Sequence, residues 1–312
     1  MDQPEPPELP RGIALAWGVA ATPQRGPKRE MSVERIVDAA VELADVDGLG
    51  AVSMAAVAAK LGFTPMSLYR YVTAKDDLLL LMQEQATGMP PEAYRQEEGW
   101  RAKLTLLFDA QVQVYLRHPW LVALPITGAP ITPNSSAWVD AGLDCLDGTP
   151  LTDVERLATA LAVTGEARWQ GIVLSGYHQQ ARSLGIDPDE VAQREAALFD
   201  RVIGADEFPA LRRVIDSGVF TAPDDPFRFA LERILDGVDA YIARLDRGEP
   251  RDAATFDEEA DEDEATLERD KRVREARKAV QEAEKRLREA RTRERQAVRD
   301  ARERASKPSR SR

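Results

Sequence analysis

Between residues 32 and 82 the chain carries four helix-opening signals, and the first two lead into a short apolar stripe at helical spacing and a stop. Val33, Ile36, Val37, Ala40, Val41 and Ala44 fall on one face, with Ser32 placed as the N-cap and Gly48 as the stop. Ser53 is placed to cap a second helix whose stripe is Met54, Val57, Ala58 and Leu61, and Gly62 supplies the left-handed residue that ends it. Thr64 caps a third, with Pro65 at the first helical position, where its missing N–H costs nothing. Thr73-Ala74-Lys75-Asp76 reads as a capping box that opens a fourth helix through Leu78, Leu79 and Met82. The middle two, eight residues each and joined by Gly62-Phe63, predict a helix-turn-helix.

Beyond Gly88 no alternating strand pattern competes with the helical one. Helices are expected over roughly 98–117, 134–147 with Asn134 as cap, and 152–182, where Thr152-Asp153-Val154-Glu155 is a capping box. Two more open at Asp187-Pro188 and Asp225-Pro226. The fold class is all-α: an N-terminal helix-turn-helix domain, an α-helical second domain and a charged helical tail. Expected boundaries are 1–23 for a mostly unstructured extension rich in proline and acid, 24–90 for the helix-turn-helix domain, 91–256 for the second domain and 257–312 for the tail.

The net charge of −12 argues at face value against nucleic acid, but it is an average over unlike parts. Residues 1–256 sum to −14; Asp257–Glu264 holds seven acids and no base; 265–312 sums to +9. In the tail Val273, Val280, Leu287 and Ala301 recur at sevens beside Ala276, Ala283, Ala290 and Ala297, with Glu294 interrupting the first series. Three readings stay open for it: a coiled coil, a lone helix held by i,i+4 charge pairs, or a basic arm on DNA phosphates.

Several function classes drop out. One cysteine, Cys145, allows no intrachain disulfide, no apolar run approaches the ~18 residues of a membrane span, and a cytoplasmic setting is expected. Two histidines, His118 and His178, leave little material for zinc or for a general base, and no Gly-rich phosphate loop or Gly-x-Ser-x-Gly elbow occurs. No enzyme, no cofactor and no metal is expected.

A helix-turn-helix reads DNA by laying its second helix in the major groove. Thr64, Met66, Ser67, Tyr69, Arg70 and Tyr71 are available outward, while Leu68 and Val72 face the first helix. Hydroxyls can reach phosphates, Arg70 guanine edges or phosphate, and Met66 a thymine methyl. Ser53 at the second cap and Lys75 at the fourth helix are placed for the DNA backbone, and Arg25, Lys28 and Arg29 form a basic arm of the kind that enters a minor groove. Pro65 is mainly structural, and Tyr71 suits core and contact equally. In the second domain Trp138, Trp169, Tyr177 and His178 are the groups most suited to a ligand cavity; they would also serve in the core or a dimer interface.

The run from Val52 to Leu78, with its capped helix, Leu61-Gly62-Phe63 turn, Leu68-Tyr69-Arg70-Tyr71-Val72 and following Lys75, resembles the DNA-binding domain of tetracycline repressor (TetR) family regulators. The stretch His118–Asn134, followed by Trp138–Leu143, is similar to that family's C-terminal domain. The resemblance implies a homodimeric repressor of double-stranded operator DNA, dimerising through 152–182 and 226–247 and released by a small-molecule effector held in the second domain. The residues that hold magnesium and drug in tetracycline-binding members have no matching positions here. The alternative is a coiled-coil adaptor with a vestigial helix-turn-helix.

Overall fold

The computed structural model describes residues 9–20, 31–126, 128, 131–222, 225–251 and 270–306, and every element among them is helical. The chain divides into two compact units, 1–249 and 250–312.

In the first unit, α1 (Arg11–Ala16) precedes four helices: α2 (Val33–Asp47), α3 (Met54–Leu61), α4 (Pro65–Leu68) and α5 (Lys75–Thr87). Ser32 and Ser53 accept the Arg35 and Ala56 N–H groups at 3.3 and 3.1 Å, so both caps act as expected. Gly62 ends α3 at φ 77°, and the Phe63 N–H then reaches the Ala58 carbonyl at 2.9 Å. The stripes of α2, α3 and α5 close on Ile36, Val57, Leu68, Val72, Leu78 and Met82, all essentially inaccessible.

Three local expectations need correction. The α5 N-cap is Ala74, and Thr73 instead donates its hydroxyl to Asp77 at 2.8 Å, because the helix starts one residue later than a Thr73 cap requires. The α-helical part of the second motif helix covers only Pro65–Leu68; beyond it the chain tightens, with Tyr71 N–H bonding to the Leu68 carbonyl at 2.8 Å. Within the expected unstructured extension, α1 is ordered by burial of Ile13 and by the Trp17 indole, which donates to the Ile131 carbonyl at 2.7 Å.

The second half of the unit consists of α6 (Trp100–Arg117), α7 (Pro133–Cys145), α8 (Asp153–Leu184), α9 (Pro188–Val202), α10 (Pro209–Asp216) and α11 (Pro226–Asp246). The Thr152–Glu155 capping box opens α8, and Asp187 and Asp225 cap α9 and α11. Asn134 is not the α7 cap; Thr132 is, with Pro133 at the first position. Helix α10 escapes the sequence pattern because its cap is Phe208, which offers no acceptor. The core of this half gathers Leu104, Phe108, Leu146, Ala167, Leu231 and Leu235. Cys145 is buried there, its thiol pushed up to about 12 by desolvation, which makes it an inert apolar filler.

Helices α6 and α8 touch through Gly171, where a Cβ would lie 2.7 Å from Tyr115 Cβ and 2.8 Å from its ring. Neither atom is the loose end of a chain, so the helices would have to separate. Gly171→Ala is expected to destabilise the protein by about 1–3 kcal/mol, read as a lower Tm at fixed protein concentration.

The second unit holds α12 (Lys271–Ser306), a single helix of 36 residues.

Candidate nucleic-acid interface and effector cavity

Packing fixes which side of the motif faces outward. Leu68 and Val72 are buried under α2 and α3, which turns Met66, Tyr69 and Arg70 away from the core; Met66 is 71% and Tyr69 43% exposed. Thr64 and Pro65 are exposed beside them, and the Thr64 and Ser67 hydroxyls bond each other at 2.9 Å, which leaves one O–H of the pair to donate outward. Ser53 accepts its cap bond, a role that leaves its own O–H a donor. Tyr71 is half-buried and packs on the core. Arg25, Lys28 and Arg29 lie outside the described residues.

Lys75 is the first residue of α5 and is exposed. No side chain caps that helix, and because Asp76 and Asp77 share its first turn, the Lys75 ammonium is the group at this end suited to a phosphate.

The far end of α5 enters a cavity of about 430 Å³. Leu80, Gln83 and Thr87 of α5 form one wall; Gln111, Val114 and Tyr115 of α6 a second; Ser135, Trp138 and Val139 of α7 a third; Leu161, Thr164 and Arg168 of α8 a fourth. Ile13 of α1 completes it together with Leu124, Pro125, Ile126, Gly128, Ile131 and Thr132. The lining is mostly apolar with a few fixed polar groups. Arg168 donates to the Val122 and Leu124 carbonyls at 3.0 and 2.6 Å, holding the segment that closes the cavity. Burial pushes the Tyr115 phenol up, against the opposing pull of Arg168 beside it. Gln111 Oε1 is buried without a hydrogen-bond partner, an acceptor that a ligand hydroxyl or N–H would satisfy.

Of the four aromatic and polar candidates named from sequence, Trp138 lines this cavity and donates its indole N–H to the Gly88 carbonyl at 2.9 Å. Trp169 stands on the exposed side of α8, 55% accessible; Tyr177 donates to Glu195 of α9 at 2.8 Å; His178 is exposed. Sequence reasoning missed Gln111, Tyr115, Thr164 and Arg168. Their signal was available as spacing: each pair lies four apart on one helix, a polar interruption of an otherwise apolar stripe.

Two ties, one through α5 and one through α2, join the helix-turn-helix half to the cavity half. The Asn134 N–H donates to Glu84 Oε1 at 2.6 Å and its amide to the Glu84 carbonyl at 2.8 Å, so α5 supplies the anion at the α7 N-terminus that Thr132 does not. Asp45 of α2 accepts from Trp120 Nε1 at 2.7 Å and His118 Nδ1 at 2.8 Å, and Trp120 is buried in the helix-turn-helix core. The two halves of the first unit are thus joined by packing as well as by the chain.

Residues 36–82 match the family described as bacterial regulatory proteins, tetR family, and residues 93–242 match the tetracyclin repressor-like C-terminal domain. The chain is 32% identical over 246 residues to the HTH-type transcriptional repressor DrrR1 of Streptomyces coeruleorubidus, spanning 78% of this chain and 89% of that one. Its fold is similar to the Streptomyces coelicolor TetR family protein ActR in complex with (S)-DNPA, at 23% identity and TM-score 0.54 over 68% of this chain and 99% of that one. ActR in complex with actinorhodin superposes with TM-score 0.52 at 23% identity, over 67% and 96% of the two chains. With both halves matched in order and the motif residues standing where the fold needs them, the chain belongs to the TetR family of regulatory proteins.

Proposed function

We propose that the protein is a homodimeric transcriptional repressor that holds a palindromic operator through its two helix-turn-helix motifs and releases it when a small effector fills the cavity. The observation that carries this reading is the continuity of α5, which presents Lys75 at the DNA-facing end and Leu80, Gln83 and Thr87 to the cavity. An effector that seats differently in two positions of α5 shifts the spacing of the recognition helices, and a palindrome accepts only one spacing. The effector proposed is an oxygenated aromatic molecule: 430 Å³ is within the range of small-molecule sites, the walls are apolar, and Gln111 asks for a donor. The adaptor alternative finds no support, since the motif is fully packed and its outward face carries Arg70 and the Thr64, Ser67 and Tyr69 hydroxyls. Among the described residues no helix is long and apolar enough to cross a membrane, and a cytoplasmic regulator is the matching setting.

Retardation of DNA from upstream of the protein's own gene, reversed by the effector, tests the whole reading; equal retention of unrelated duplex at all salt concentrations would remove it. For the dimer, α8 exposes Leu157, Leu161, Trp169 and Ile172, an apolar stripe at helical spacing left uncovered in the single chain. Trp169→Ala combined with Ile172→Asp is expected to yield monomers in gel filtration and light scattering with helical content unchanged. Dimers that persist would place the interface elsewhere.

A further inference from the structure

The tail is untouched by both family matches. Over 271–306 it carries fourteen Lys and Arg against seven acids. Every described side chain of α12 is exposed except half-buried Val273. Glu275, Glu282 and Glu289 line up at sevens on one narrow track, and cations occupy both flanks. Local partners exist, Lys271 with Glu275 at 3.8 Å and Arg286 and Arg293 with their own helix carbonyls, but such pairings leave the excess positive charge in water.

Three partners could use such a helix, and two fit badly. In a parallel pair of copies seamed on Val273, Val280 and Leu287, Arg272 would oppose Arg277 of the second copy and Arg286 would oppose Arg291. The companion positions are all alanine, so little burial offsets that repulsion. A lipid surface needs an apolar face to insert, and α12 offers one large aliphatic residue per two turns and no aromatic. A polyanion needs only the charge. The first 256 residues, at −14, repel DNA at distances beyond their placed contacts, and the tail carries the opposite sign.

We propose that α12 is a second, sequence-independent nucleic-acid contact that lies along the phosphate backbone beside the operator. This rests on the DNA-binding reading above. The test compares the full chain with a full chain in which Arg272, Arg277, Lys278, Lys285 and Arg286 are all replaced by Gln, a residue that keeps helix propensity. Binding to operator and to a scrambled duplex is measured across salt concentrations, with circular dichroism to check the helix.

Each phosphate that the variant no longer neutralises should flatten the plot of log affinity against log salt by about 0.9. The expected result is a slope shallower by about 2–4 on both duplexes, at least tenfold weaker scrambled-duplex binding at low salt, and an unchanged preference for operator. Equal slopes for the two proteins overturn the proposal, as does retention by phosphatidylserine vesicles that disappears in the variant while its DNA slopes stay put. An Arg70→Ala chain separates the two readings: it should lose operator preference and keep the tail's share of the slope. A full chain that binds neither duplex removes the DNA-binding reading itself.

Discussion

Arg70→Ala and Tyr69→Ala, each in the full chain, are expected to weaken operator binding by roughly ten- to a hundredfold while leaving Tm and the dimer unchanged. The size follows from what an arginine supplies at a base edge or phosphate, about 1–3 kcal/mol for a good pairing. Indifference of the fold follows from exposure: Tyr69 is 43% accessible and Arg70 exposed, whereas Leu68 and Val72 on either side of them are buried. Leu68→Ala is the contrasting control. It should cost about 2–5 kcal/mol of stability and abolish DNA binding only by unfolding the motif. Gel-shift titration, thermal unfolding and gel filtration on the three variants separate the cases. Monomerisation or a large drop in Tm in the Tyr69 or Arg70 variant would mean these side chains hold the fold.

The helix-turn-helix could be read from the sequence because every device that specifies it is local. Ser32, Ser53 and Gly62 act within three or four residues of themselves, and the α2 and α3 stripes need only the period of a helix. The errors arose where another partner displaced the expected cap. Thr73 could cap α5 but donates to Asp77 instead; Asn134 could cap α7 but is drawn to Glu84, fifty residues earlier. Helix α1 exists because Ile13 has a cavity wall to complete and Trp17 a carbonyl to reach, neither of which its own sequence contains. The outward-facing residues of the motif were legible since one short helix carries most of them. The cavity was not, since its walls come from α5, α6, α7 and α8, and which polar interruption faces which depends on how four helices pack. Aromatic type alone pointed to Trp138, which lines the cavity, and equally to Trp169, Tyr177 and His178, which lie away from its lining.

Val139→Trp is expected to separate ligand sensing from DNA binding. Val139 is half-buried on α7 and lines the cavity beside Trp138, so the added indole volume has room in about 430 Å³. Filling an existing void with apolar atoms should hold or raise Tm, in contrast to the loss expected at the tightly packed Gly171. Operator affinity should stay near that of the unmodified chain, because the recognition surface and Lys75 are untouched. The effector response should vanish, because the indole occupies the space and Gln111 Oε1 can no longer be reached. Actinorhodin and (S)-DNPA serve as probes in thermal-shift and operator-release measurements. A probe at a hundred times its dissociation constant should stabilise the unmodified protein by about 2.7 kcal/mol and the variant not at all. An unmodified chain indifferent to both probes excludes those two molecules as effectors. A variant that responds as fully as its parent places the effector outside the cavity, and α5 would then no longer be the element that links ligand to operator.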